Sequence, residues 1–209
     1  LNKKIYHLLA EFPCYSQDLE IDLNTPSGRF KWFLASILFG ARISEKIAFR
    51  TYKAFEEIGI DTPESILASG WDKLVAILDS GGYVRYDFST ATKLLNVNRE
   101  LKERYGSLEE LHRQSSNTED LIKKLMEFKG IGPVTVSIFL RELRGIWHVD
   151  IGTSTKAEEI ARYLNIDLNR WEGEKLARLE SALIKLSLRF CKKKLCTECP
   201  MRAYCSQIQ

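Results

Sequence analysis

Four of the five cysteines stand close together near the end of the chain, as Cys191-x4-Cys196-x2-Cys199-x5-Cys205. Thiols clustered this way read as metal ligands, because a disulfide framework spreads its cysteines along a small secreted chain. Four thiolates suit a tetrahedral zinc ion or a cubane iron–sulfur cluster, and spacing alone leaves both open. Lys185, Arg189, Lys192, Lys193, Lys194 and Arg202 surround them against a single acid, Glu198. The C-terminus is therefore a local positive patch, although a net charge of +3 does not by itself declare a nucleic-acid partner. Cys14, far upstream, reads as a semi-buried small side chain.

A second stretch with chemical potential runs from Leu125 to Val136, LMEFKGIGPVTV. It reads as a helix, a Gly130-Ile131-Gly132 turn, and a new helix begun by Pro133. The glycines permit positive φ and close backbone approach, Ile131 can pin the turn to the core, and Pro133 suits a first helical position. Such a turn presents the backbone N–H groups of Gly130, Ile131, Gly132, Val134 and Thr135 at a helix N-terminus, where a phosphate can be held without reading sequence. Lys129 adds a charge. Alone, the pattern is equally an ordinary helical turn. Eighteen residues after Gly132 stands Asp150, following Val149 and lying beyond a helix that Gly145 could end.

The elements that must position these groups are helices. Apolar residues recur every three to four positions and no sustained period-two run occurs, so the fold class is all-α. Helices are expected at 3–11, 28–39, 44–58, 63–69, 71–79, 87–104, 107–114, 118–128, 133–143, 155–164 and 172–190. Ser44 and Thr62-Pro63-Glu64-Ser65 read as caps, and Gly59, Gly70 and Gly106 as helix ends. Trp32, Phe33 and Phe39 fall on one helical stripe and read as core. A hydrophobic fraction of 44% supports a sizeable core. No apolar run is long enough to span a membrane, and the start lacks a signal-peptide pattern, so a cytoplasmic location is expected, nucleoid-associated in a prokaryote. No linker marks a boundary, so a second lobe must be assembled from both chain ends.

The order of hairpin, acid and four cysteines resembles the helix-hairpin-helix (HhH-GPD) DNA glycosylase superfamily, in its endonuclease III-like branch, from about Phe30 to Cys205. The resemblance implies two lobes. One is a six-helix barrel at 28–133; the other combines 1–27 with 134–209 and carries a 4Fe-4S loop at 191–205. It implies a monomer acting on double-stranded DNA that contains a damaged or mismatched base. Asp150 matches the family's catalytic Asp. The chemistry requires such an acid, since breaking an N-glycosidic bond builds positive charge on the sugar, which a fixed carboxylate stabilises while it orients a water. Its plainer alternative is to cap the helix expected from about 155.

This sequence departs from the endonuclease III pattern in three places. Val134 occupies the position of the Schiff-base Lys, which implies a monofunctional hydrolase unless Lys129 or Lys156 substitutes. Ile151-Gly152 replaces the Thr-His after the acid, in a loop two residues shorter. The first cysteine gap is also two residues shorter, while the other two gaps match; the resemblance favours a 4Fe-4S cluster over zinc, holding a loop that shows Lys192, Lys193 and Lys194 to phosphates. In the matching lesion-facing region, Tyr83 or Tyr86 would stack on an extruded base with Arg85 on a phosphate, or the tyrosines pack between helices. Arg42 is a candidate wedge and His148 a candidate substrate contact. The expected activity is base-excision repair glycosylase, against a non-catalytic DNA-structure binder, a bifunctional glycosylase/lyase with a relocated Lys, or a zinc-bound interaction module.

Overall fold

The computed structural model describes residues 3–207. In chain order it forms α1 (Lys3–Ala10), α2 (Tyr15–Asp18), α3 (Pro26–Phe39), α4 (Glu45–Glu57), α5 (Pro63–Gly81), α6 (Asp87–Arg104), α7 (Leu108–Arg113), α8 (Thr118–Glu127), α9 (Pro133–Arg141), α10 (Thr155–Tyr163) and α11 (Gly173–Arg189). Short 3-10 turns lie at Leu168–Arg170, Cys191–Lys193 and Arg202–Tyr204, and no strand occurs among the described residues. The all-α expectation holds. Helix starts follow their caps: Thr25 accepts from the Gly28 amide (3.0 Å), Ser44 from Ile47 (3.3 Å), and Thr62 with Ser65 forms a reciprocal box ahead of Pro63. Each such cap contributes about 1 kcal/mol. The two helices expected at 63–69 and 71–79 both form within the span of α5, separated where Gly70 takes a non-helical φ of 70° and ψ of 173°.

The chain divides into two compact units, one spanning Leu19–Leu140 and one combining the segment up to Asp18 with Arg141 onward. The boundary expected at 133 thus falls at Leu140. The reason is packing: Trp32 Nε1 donates to the Phe139 carbonyl (3.0 Å), and the Phe33 and Phe139 rings meet edge-on at 5.0 Å, which locks α9 to α3. At the end of α3 the backbone comes so close to Thr135 that a Cβ on Gly40 would stand 2.3 Å from its Oγ1. Both helices of the hairpin therefore belong to the central unit. Within that unit α5 packs chiefly on α6 and α4, and α3 on α4 and α7.

The terminal unit is centred on α11, which packs on α10 and α1. Its interior is polar in places. The Glu142 carboxylate accepts from the amides of Tyr15 (2.8 Å) and Ser16 (2.9 Å), and Lys185 donates to the Pro13 carbonyl and to Asp18 (2.6 Å) with its Nζ 4.6 Å from the centre of the Tyr15 ring. These long-range bonds create α2, which local pattern did not foretell. They also correct the charge reading: Lys185 is fully buried and ion-paired, so it contributes nothing to the C-terminal surface patch.

Candidate functional site

The hairpin is built from Phe128 inward. Phe128 ends α8 with extended backbone (φ −65°, ψ 122°) and is fully buried; Lys129 is exposed, and Gly130 takes φ +89°, a conformation costly to any residue with a Cβ. The Ile131 amide then donates to the Phe128 carbonyl (2.9 Å) while its side chain is buried, as its pinning role requires. The first bond of α9 runs from the Val136 amide to the Gly132 carbonyl (3.1 Å), so the amides of Val134 and Thr135 precede the intrahelical ladder. Gly132 has no positive φ, and a Cβ there would meet nothing within 4 Å.

Two hairpin side chains differ in placement. Val134 is 61% exposed, whereas Thr135 is only 5% exposed and packs against Gly40. The Thr135 side chain is thus a packing group, and its backbone amide remains the candidate for DNA. Lys93 of α6 lays its stem across the hairpin: a Cβ on Gly130 would stand 2.9 Å from Lys93 Cε. Burial holds the Lys93 ammonium pKa below the usual lysine value.

Also in the central unit, Tyr83 is 1% exposed, and its hydroxyl donates to the Leu38 carbonyl (2.9 Å). It is a core residue, which corrects its assignment to a base pocket. Burial raises its phenol pKa far above normal. Tyr86 is half-buried with the exposed Arg85 guanidinium 5.6 Å from its ring centre, and Arg42 is exposed between α3 and α4.

Asp150 and His148 belong to the terminal unit. His148 is exposed and takes φ +51°, Val149 is buried, and Asp150 is exposed. The cap of α10 is Ser154, whose hydroxyl accepts from the Ala157 amide (3.3 Å), so Asp150 is not the capping residue. A buried ion pair lies under the segment that follows it. Arg144 and Glu180 pair directly; Arg144 Nη2 also donates to the carbonyls of Ile151 (3.0 Å) and Gly152 (3.1 Å), and Glu180 accepts from the Ser154 amide (2.8 Å).

The same unit gathers Cys191, Cys196, Cys199 and Cys205 around one hollow, whose other walls include Leu186, Phe190 and Met201. Tight turns place them: Lys194 at φ +56° returns its amide to the Cys191 carbonyl (3.0 Å), the Leu195 amide donates to Phe190 (3.0 Å), and the Ser206 amide ties the loop to the Tyr163 carbonyl (2.9 Å). All four are free thiols. The Cys191 pKa is pushed up to about 11, mainly by burial and then by the charges of Cys199, Cys205 and Cys196. Among the described residues no group of three or more His, Cys, Asp or Glu side chains is arranged to hold a metal ion, so the sulfurs surround the hollow without meeting at one point. Lys192, Lys193 and Lys194 are exposed beside it.

No family model matches the sequence. Over 149 residues the chain is 28% identical to a protein of Methanocaldococcus jannaschii named Putative DNA repair glycosylase MJ1434, covering 64% of this chain and 66% of that one. It superposes on the crystal structure of H. pylori 3-methyladenine DNA glycosylase (MagIII) bound to 1,N6-ethenoadenine with a TM-score of 0.53 and 16% identity, over 91% of this chain and 98% of that chain. The chain is thus similar in sequence to one DNA repair glycosylase and in fold to another glycosylase. Its all-helical fold is that of the superposed glycosylase. Three residues of these sites carry no motif in the sequence: Lys93, Arg144 and Glu180. A charge at an apolar helical position was the available signal for Glu180, since its neighbours Leu179, Ala182 and Leu183 are all core. Lys93 and Arg144 carry no comparable local mark.

Proposed function

We propose that the protein is a monofunctional DNA glycosylase of base-excision repair, with Asp150 as its catalytic carboxylate. The observation that carries this reading is Asp150 itself, displayed on a loop anchored on one side by buried Val149 and on the other by the Arg144–Glu180 pair, within a glycosylase fold. The backbone amides of the hairpin, with Lys129, hold a phosphate of duplex DNA. A damaged or mismatched base leaves the stack, and its N-glycosidic bond breaks with the electron pair departing on the base. The Asp150 carboxylate stabilises the positive charge left on the sugar and takes a proton from the water that adds to C1′. Val134 has no nucleophilic atom, so water is the acceptor of the sugar.

The cysteine hollow is proposed to hold a 4Fe-4S cluster through Cys191, Cys196, Cys199 and Cys205. The donor set supports it: four soft sulfurs surround one cavity, as a cubane with one thiolate per iron requires. When bound, the cluster would cross-link a loop with little core of its own and fix Lys192, Lys193 and Lys194 in place.

The test is release of free base from duplexes bearing uracil, a thymine mismatch, oxidised pyrimidines, adenine opposite oxidised guanine, 3-methyladenine or 1,N6-ethenoadenine. At least one is released by the native chain, and Asp150→Asn abolishes release while retaining duplex affinity. Retained excision by that variant refutes the assignment; duplex binding without release from any duplex supports the non-catalytic reading. Anaerobically purified protein should be brown, with absorbance near 400 nm, and a colourless preparation containing stoichiometric zinc would overturn the cluster.

A further inference from the structure

The loop after Asp150 is held by a device of unusual cost. The side chains of Arg144 and Glu180 are 3% and 0% exposed, and bringing two such charges out of water loses solvation that their mutual attraction only about recovers. A pair of apolar side chains of the same volume would hold α11 against the turn at Arg144 at least as firmly. What an apolar pair could not do is hold backbone. Among the described residues, the bonds the pair makes beyond itself go to the segment 151–154: Arg144 Nη2 donates to the Ile151 and Gly152 carbonyls, and Glu180 Oε1 accepts from the Ser154 amide. On the preceding side, Val149 and Trp147 are buried, the Trp147 amide bonds to the Leu143 carbonyl (2.8 Å), and His148 takes a left-handed φ of +51° that a histidine adopts only when its neighbours enforce it. Asp150 is the exposed residue between these two anchored flanks.

We infer that Arg144 and Glu180 are positioning residues, a buried ionic clamp whose purpose is to fix the backbone that presents the Asp150 carboxylate. The inference rests on the catalytic reading of Asp150. The clamp holds the residues after the acid through their backbone alone, and the chain then turns into the α10 cap at Ser154. A displacement of about 1 Å at a catalytic group is enough to lower a rate by about 100-fold.

The experiment compares the native protein with the double variant Arg144→Met/Glu180→Leu, which removes both charges and keeps the volume. Three quantities are read: thermal midpoint, affinity for an intact duplex, and single-turnover release from the best substrate of the lesion set. The expected result is duplex affinity close to native, a thermal midpoint lowered only by the loss of the three backbone bonds of 151–154, and base release slowed at least tenfold at a temperature where both proteins are fully folded, a split that a merely structural pair would not produce. A release rate within twofold of native in the stable double variant overturns the proposal. Amide hydrogen exchange on the native protein tests it without a variant. The Ser154 amide should exchange far more slowly than an open loop amide, and exchange at the open-loop rate also overturns it. Failure of the catalytic reading is distinct: it shows as excision retained by Asp150→Asn, whatever the exchange rate at Ser154.

Discussion

The two hairpin glycines differ in a way that separates folding from DNA binding. Gly130 sits at φ +89°, so Gly130→Ala forces a Cβ into the left-handed region at a cost of about 1–2 kcal/mol, while the crowding against Lys93 Cε is relieved by a small shift of that flexible chain. For a chain of this size that is a fall in thermal midpoint of about 2–8 °C. Gly132 has no positive φ and open space where its Cβ would go, so Gly132→Ala should leave stability unchanged or raise it by about 0.4–1 kcal/mol through the unfolded chain. That open space is where a phosphate must approach if it bonds to the amides at the start of α9. Losing one charge-assisted hydrogen bond there costs about 1.5–3 kcal/mol, or roughly 10–100-fold in affinity. Fluorescence anisotropy with a labelled duplex over a salt series, beside scanning fluorimetry, reads both effects. Gly132→Ala should bind weakly, with the slope of log affinity against log salt reduced by about one unit. Native affinity and slope in that variant would refute the claim that the hairpin holds a phosphate.

Tyr83→Phe should cost about 0.5–1.5 kcal/mol of stability in a denaturant titration, since it removes one bond to the buried Leu38 carbonyl, which keeps the Ala41 amide, while leaving base release unaltered; loss of release at native stability would return Tyr83 to the pocket. Borohydride should trap no adduct between the native protein and abasic DNA, whereas Val134→Lys, at a 61%-exposed position in the first turn of α9, should form one; trapping by the native chain would point to a lysine elsewhere. Burial pushes the Cys14 thiol up to about 12, so at pH 8 it should resist alkylation until the protein is unfolded, as counted by mass spectrometry.

Helices were legible because their determinants are local. Ser44, Thr62 and Ser65 cap where their side chains reach one turn ahead, and Gly59 and Gly106 end helices with φ of +67° and +81°. The hairpin and the cysteine loop were legible for the same reason, each lying within one short stretch. What escaped depends on distant partners. The four-residue α2 exists because Glu142 accepts its first amides across 127 and 126 residues of sequence, and nothing near Tyr15 announces that. Thr135 and Tyr83 look equally suited to a ligand or a core, and only the approach of Gly40 and the Leu38 carbonyl decides for the core. Arg144 and Glu180 stand 36 residues apart and acquire meaning only as a pair.

The bonds from Glu142 to Tyr15 and Ser16, and from Lys185 to Pro13 and Asp18, have a consequence for how the protein is made. The segment 13–18 leaves the ribosome long before the groups that receive it exist, and it must wait for α11 to be translated. The stretch Leu19–Leu140 is a compact unit by itself and can close first. An early stop in α11 would therefore release a chain with an ordered middle and two unsatisfied ends. Delivered as a separate peptide, the missing helix would have to recover by concentration the encounter that the continuous chain supplies for the loop-closure entropy alone.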